Sequence, residues 1–575
     1  MPNNNNKKSF LLNLEKTIDT ISTEVKNSLK LVQSDGPNSL DWLKKSMHPY
    51  FFAAFEDETE AVSSLVANLS SLSKNHQLVL VDREKTLILA KRLVRGSIAE
   101  SIAALKDKNI STSYITKSYQ NLPNIDKKLE IHRFDFDTKS DKEIAQAEMH
   151  PIPEKIKERV WQAMKKHYKD YDFEKYDAQL NMFWSNNERY IRVSSYASVA
   201  RLMWLYQKTG SHGGIYFDME KVETKEKLKE TRIFFGVANP PQKQFLLQLI
   251  KIINRMEMGI HRAACIGISN GIQPYFLGSF CVTTKNGKFI KKESETYQHL
   301  KREFYNTQIF SSNSSSYNTL YIPGQMNGED CSLVDAFVGF CHTNLAHNQP
   351  ENFVLETVTR AFLTHIDIST QLIDLFKLRF DPTLKSRKTK YQKVLKETIA
   401  MIENHNTGRR NMDNHRRTIF KCCLSFIRNT LKTNFYVQEK HALSFRLDPV
   451  YLTELGEAAT SDLPADRPFR ITYFYGHLGP GFHIGFSDIA RGGWRTLITT
   501  GRDDYVNNAN TVFRENYVLA HTQHFKNKDI YEGGSKMVAI LNAGNATDAE
   551  QIKHLLYKHQ FGFINAFFDI YITEN

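Results

Sequence analysis

The sequence predicts a multidomain chain of mixed class, α+β in its first half and α/β at its end. Three observations carry this reading. A strand–helix–strand–strand pattern occurs twice before residue 290, residues 331–445 read as mostly helical, and a last block from about residue 446 alternates strands, glycine pairs and helices. The length of 575 residues agrees, since ~100–200 residues per domain gives three to five domains. We divide the chain into a polar tail and helix (1–45), a first ferredoxin-like module (46–150), a second with flanking helices (151–330), a helical segment (331–445) and an αβ domain (446–575).

Residues 1–10 are polar, and roughly 11–33 carry Leu11, Leu12, Leu14, Ile18 and Ile21 at helical spacing. The first copy of the pattern has strands at 77–81 and 86–94. A helix over 97–108 follows, with Ile98, Ile102 and Leu105 on one face, then strands at 110–119 and 128–136. The second copy begins with a strand at 232–238, broken by Pro240-Pro241. Its helix carries Phe245, Leu249, Ile252, Ile253 and Met256 on one face, and strands follow at 260–269 and 274–284. This order is most of a ferredoxin-like unit, an antiparallel sheet with helices on one side. Ser311–Asn318 reads as a polar loop, and Asp381-Pro382 as a break inside the helical segment. In the last block we read strands at 469–475 and 482–488 and a glycine-rich turn. A helix over about 503–524, a strand at 537–542 and a helix over about 548–569 follow.

Composition excludes several classes. Hydrophobic residues at 41% and charged residues at 24% are near globular averages, against global disorder or a fibrous repeat. No apolar run approaches the ~20 residues of a membrane span, and the polar start has no signal-peptide core. Six cysteines are too few for a disulfide framework, so a reduced, cytoplasmic protein is expected. The net charge of +13 is small for this length and its basic residues are scattered, so no nucleic-acid partner is expected. The densest cluster, Arg409 to Arg417, reads as a solvated helix end. No metal site is expected either, because Cys341-His342 with His347 lacks a second ligand cluster.

Two segments of the last block concentrate glycine with cations: Asp488 to Arg495, containing Arg491-Gly492-Gly493, and Gln523 to Lys536, containing Lys526, Lys528 and Gly533-Gly534. Glycine lets backbone approach closely or adopt positive φ. Arg491, Lys526, Lys528 and Lys536 could converge from neighbouring strand ends on a substrate with two carboxylates, each needing its own charge-assisted partner. A lysine crowded by cations and partly desolvated has a lowered pKa and serves as an acid/base near neutrality. The plain alternative is that both glycine pairs are tight turns beside solvated charges. Lys536 follows two glycines but has no phosphate-loop context.

The runs Gly481 to Arg495 and Lys526 to Lys536 resemble the large NAD-specific glutamate dehydrogenases. Ala442-Leu-Ser-Phe-Arg-Leu-Asp-Pro449, Cys341 to Pro350, Ile268-Ser-Asn-Gly271 with Pro274 to Gly278, and Val81-Asp-Arg-Glu84 fit the same family, over roughly residues 45–575. The resemblance implies two ACT-like modules in the first half and an incomplete glutamate dehydrogenase substrate domain at the end. It implies oxidative deamination of L-glutamate to 2-oxoglutarate and ammonium. Lys536 would be the catalytic amine. Arg491 and Gly492 would hold the side-chain carboxylate, and Gln523 with Lys526 the α-carboxylate, Lys528 competing with Lys526. The cofactor is NAD, its site and the catalytic Asp expected outside this chain, since no G-x-G-x-x-G stands between a strand and a helix. Tyr531 and Met537 depart from the family's proline and glycine. A homo-oligomer or a C-terminal partner half, and an amino-acid effector of the modules, are the implied partners. The helix over 548–569 should then face a sheet this chain does not complete. The alternative reading is a non-catalytic amino-acid-binding regulatory protein or one half of a split enzyme.

Overall fold

The computed structural model describes residues 18–27, 36–105, 108–136, 138–147, 151–223, 229–241, 244–385, 387–526 and 531–572. It separates into two compact units, 1–300 and 301–575.

The first unit is built on one eight-stranded antiparallel sheet. Its strands are β1 (Gln77–Asp82), β2 (Thr86–Arg92), β3 (Thr112–Asn121), β4 (Lys128–Asp135), β5 (Ile215–Glu223), β6 (Lys229–Ala238), β7 (Gly259–Ser269) and β8 (Pro274–Thr283). Their spatial order is β1-β2-β4-β3-β7-β8-β6-β5, so the two copies are mirror-ordered halves joined where β3 pairs with β7. The sequence reading misses β5. Ile215, Phe217 and Met219 alternate as a strand should, but the charged Glu220-Lys221 end hides the pattern. With β5 included, both copies are strand–strand–helix–strand–strand.

One helix follows the second strand of each copy: α1 (Ser97–Ala104) and, later, the helix Phe245–Arg255. Both are entered through left-handed backbone, at Gly96 (φ 91°) and Gln244 (φ 58°). The expectation of helices on one side only is corrected. Helices between Gly36 and Asn68 bury Phe51, Phe52, Leu65 and Val66 against Ile88, Leu129 and Ile131 on the sheet's other face. Helices α2 (Glu154–His167) and α3 (Tyr196–Ser211) do the same for the second copy, packing Met203 and Trp204 with Phe234, Ile266 and Leu277. A sheet apolar on both faces must be covered on both. We label the helix Phe245–Arg255 α4. Its Leu249, Ile250 and Ile253 are fully buried, each contributing ~1.5–3 kcal/mol by leaving water.

The second unit begins with a helical layer. Ser311–Asn318 is not wholly loop, because a helical turn at Tyr317–Tyr321 buries Tyr317. Five helices then run from Gly328 to Asn429, among them α5 (Gly328–Leu345) and α6 (Arg410–Asn429). The helical stretch ends earlier than expected, where Thr430 opens a six-stranded sheet. Its strands are β9 (Thr430–Thr433), β10 (Leu443–Leu447), β11 (Arg470–Gly476), β12 (Gly479–Gly485), β13 (Ala490–Thr499) and β14 (Gly533–Asn542), in the order β13-β14-β12-β11-β10-β9. Helix α7 (Arg502–His524) covers one face with Val512, Phe513 and Tyr517. Helix α8 (Ala549–Tyr571) lies on the other. Its Phe563 stacks on Phe474 at 5.3 Å and packs with Met537 and Ala539. The expectation that α8 waits for a missing sheet is thus corrected: its Leu555–Phe563–Ala566 face is already buried here. All six cysteines are free and buried.

Candidate substrate site

β13 is an edge strand that runs parallel to β14, and α7 is the crossover between them. The pairing sets Arg491 opposite Gly534 and Gly493 opposite Lys536. Side chains alternate along a strand and opposed residues share a face. Arg491, Gly493 and Lys536 therefore fall on one face of the sheet, with roughly 8 Å between the Arg491 and Lys536 backbones from ladder and rise spacings. It is the α7 face, because Arg495, two residues further along, pairs with Glu515 of α7 at 3.0 Å.

The glycine-rich turn of the sequence reading is corrected: Gly492 and Gly493 lie inside β13, and Gly533-Gly534 open β14. None of the four has a positive φ. What they supply is close approach. A β-carbon at 492 would stand 1.7 Å from the Ser535 carbonyl oxygen, and one at 534 would stand 2.0 Å from the His524 amide nitrogen. The last turn of α7, at Gln523 and His524, rests directly on Gly534, the residue paired with Arg491, and Lys526 follows two residues past the helix end. Gln523 is half-buried and Lys526 exposed. Lys528 lies outside the described residues. Arg491, Lys526 and Lys536 make no ion pair among the described residues.

Sequence reasoning missed one contributor, His524, and did not show what Gly493 does. The Gly493 surface accommodates Lys536, whose Nζ would be 3.4 Å from a β-carbon there. His524 Nδ1 accepts the Gly534 amide at 3.3 Å, and its ring stacks on Phe486. A histidine at the end of an amphipathic helix carries no signal of this. The unit also holds a buried lysine away from the candidate residues. Burial pushes the Lys558 ammonium down to about 7, and it donates to Gln308 Oε1 at 2.5 Å.

Cys341, His342 and His347 are engaged separately. Cys341 Sγ donates to the Ile419 carbonyl, His342 Nε2 meets Asn510 and His347 Nδ1 meets Asp462. The βαβ unit β13–α7–β14 is where a dinucleotide would bind in an open α/β sheet. Its turn is Thr500-Gly501-Arg502, and Asp503 and Asp504 fill the first turn of α7. Two carboxylates at a helix N-terminus repel the pyrophosphate that such a site must hold. The start of α7 does not fit the pyrophosphate of NAD.

Residues 402–575, which hold the β13–α7–β14 unit, match the family described as bacterial NAD-glutamate dehydrogenase, catalytic domain. Over 136 residues the chain is 46% identical to glutamate dehydrogenase 2 of Dictyostelium discoideum, covering 24% of this chain and 12% of that protein. It is 46% identical over 126 residues to the NAD-specific glutamate dehydrogenase of Saccharomyces cerevisiae, 22% of this chain and 11% of that protein. Over these segments the chain is similar to the large NAD-specific glutamate dehydrogenases. The NAD-specific glutamate dehydrogenase of Pseudomonas aeruginosa is 24% identical over 233 residues, 38% of this chain and 13% of that protein. The matched segments thus span 11–13% of these glutamate dehydrogenases' length. Among the described residues no helix is long and apolar enough to cross a membrane.

Proposed function

We propose that the second unit binds the substrate of an NAD-dependent glutamate dehydrogenase, which deaminates L-glutamate oxidatively to 2-oxoglutarate and ammonium. The observation that most supports this is the β13–β14 register, which sets Arg491 and Lys536 on the face that α7 covers, with Gln523 in the last turn of that helix. A five-carbon dicarboxylate needs cations at both ends of one cleft. In this reading Arg491, with the Gly492 backbone beside it, holds the side-chain carboxylate bidentately. Gln523 and Lys526 or Lys528 hold the α-carboxylate. Lys536 stands between them, where its ammonium polarises the carbonyl of 2-oxoglutarate and its free amine activates water at the α-carbon. NAD, which the acidic start of α7 does not fit, would supply the hydride acceptor from a site elsewhere. The chain's own residues bind and orient the substrate and move the proton at Lys536.

Calorimetric titration with L-glutamate and 2-oxoglutarate should give one site per chain, weakened at least tenfold by Arg491→Ala or Lys526→Ala. In a longer polypeptide bearing a dinucleotide domain, Lys536→Ala should remove most turnover, while Arg491→Ala chiefly raises KM. Near-normal turnover with Lys536→Ala would overturn the assignment. The acidic first turn of α7 favours a second reading, an amino-acid-binding regulatory protein without redox chemistry. It predicts glutamate binding with no dehydrogenase activity in any such polypeptide.

A further inference from the structure

His524 ends α7 against the start of β14. The substrate reading gives roles to Gln523 and Lys526 on either side of it and none to the histidine. Its contacts are nonetheless close and specific. The ladder between β12 and β14 stops at the Gly485–Ser535 pair. One residue earlier, the Gly534 amide donates to the ring nitrogen Nδ1 of His524 at 3.3 Å. Backbone bonds hold the same two glycines from the strand side. Gly533 N–H donates to the Ile489 carbonyl at 2.8 Å, and the Gly534 carbonyl accepts from Phe486 N–H at 3.0 Å.

The fit leaves no slack. A β-carbon at Gly533 would stand 3.0 Å from Nδ1, and one at Gly534 would stand 2.0 Å from the His524 amide nitrogen. The ring stacks on Phe486 at 5.7 Å. Phe486 in turn meets the ring of His521 at 5.2 Å, and His521 Nε2 bonds Asp466 at 2.7 Å. An amide that donates to Nδ1 needs a lone pair there, so the proton of the neutral ring sits on Nε2. Stacking on Phe486 would be served by any flat apolar ring. The acceptor at Nδ1 is what a histidine adds.

Gly534 is the residue paired with Arg491, and Lys536 follows two positions along the same strand. The peptide that His524 holds therefore lies between the two groups that a dicarboxylate has to meet. We propose that His524 is a positioning residue of the substrate site: through Nδ1 it fixes the Gly534 peptide, and with it the spacing of Arg491 and Lys536 that one five-carbon dicarboxylate bridges. This inference rests on the glutamate reading of the site. His524 touches no reacting atom in it and acts through β14. Without this bond the first residues of β14 open locally from the end of α7, and the site loses the fixed geometry that lets both ends of one ligand bind together.

The test crosses two substitutions in the full 575-residue chain. His524→Asn removes the ring but keeps an oxygen acceptor where Nδ1 stands. His524→Phe keeps a ring to stack on Phe486 and removes the acceptor. Two quantities are measured for each: calorimetric affinity for L-glutamate and 2-oxoglutarate, and the hydrogen-exchange rate of the Gly534 amide. His524→Phe should weaken both ligands several-fold, as loss of one hydrogen bond does, and should speed exchange at Gly534. His524→Asn should retain most of the affinity and of the protection. A ring that serves packing alone gives the reverse order, with the Phe variant harmless and the Asn variant damaged, and that order overturns the proposal. If His524→Phe does not fold, His524→Gln takes its place. Its amide falls at the Nε2 position, so it should lose what the Asn variant keeps, and equal behaviour of the two overturns the proposal. If the unsubstituted chain binds neither dicarboxylate, the glutamate reading falls and this inference with it. If it binds them and the variants bind equally well, this inference alone falls.

Discussion

Gly493 leaves open the space that the Lys536 ammonium occupies: a β-carbon on that glycine would stand 3.4 Å from Nζ. Its neighbour Gly492 meets something rigid instead, the Ser535 carbonyl at 1.7 Å. The two adjacent glycines should therefore differ on substitution. Gly493→Ala meets the far end of a flexible side chain and should leave the melting temperature nearly unchanged. Gly492→Ala must separate two paired strands and should cost at least ~1–3 kcal/mol, the range for overpacked sites. Thermal unfolding of both variants checks this, and equal stability would mean that β13 does not pair as described.

The acidic entry to α7 bears on cofactor use. The purified 575-residue chain should show no glutamate-dependent reduction of NAD⁺, followed as absorbance of the reduced nicotinamide. Sustained turnover would mean that a dinucleotide binds despite Asp503 and Asp504.

Asp335 on α5 carries a pH-dependent cost. Burial pushes its carboxyl up to about 7, against hydrogen bonds from Ser316 and Ser314 that pull it down. Its ordinary value is 3.8, so between these two values the unfolded chain has released a proton that the folded chain keeps. Stability falls as pH rises through that window, and the cost is fully present above it. Asp335→Asn should raise the melting temperature more at pH 8 than at pH 5. A gain independent of pH would show that Asp335 is not protonated in the fold.

Lys558 has the opposite slope. Burial lowers its ammonium from 10.5 to about 7, so the unfolded chain holds the extra proton in that interval. Stability therefore rises with pH from about 7 to about 10.5, and the cost is greatest below 7. Lys558→Met should stabilise the protein, more at pH 6.5 than at pH 9.5. Loss of stability at pH 6.5 would mean that the ammonium has a counter-charge.

Much of the first unit was legible because its core strands are short, largely apolar runs bounded by turn signals and α4 shows one apolar face. What escaped lay where local signals are weak. β5 ends in charges, and β13 opens with Ala490-Arg491-Gly492-Gly493, whose glycines read as a turn because they carry no side chain to alternate. The candidate cations were legible as two segments rich in glycine and charge, and the separate role expected of each came only from the family resemblance. That Arg491 and Lys536 share a face could not be read locally, since it depends on the register between strands whose paired residues stand 43 apart in the chain, and one step of slip would part them. His524 and Gly534 meet through the packing of α7, a tertiary fact with no motif.

The seam between β3 and β7 pairs Thr112 through Thr116 with Ile266 through Arg262. Neither copy of the repeat is therefore finished at that edge. A protein expressed with the first copy alone would present β3 as a bare row of amides and carbonyls, and its nearest substitute for β7 would be the same strand of another molecule. Such a fragment should associate with itself or aggregate. The practical consequence is for cloning: a boundary that looks natural after the first copy cuts a sheet in half, and the smallest independently soluble piece of this region must carry both copies.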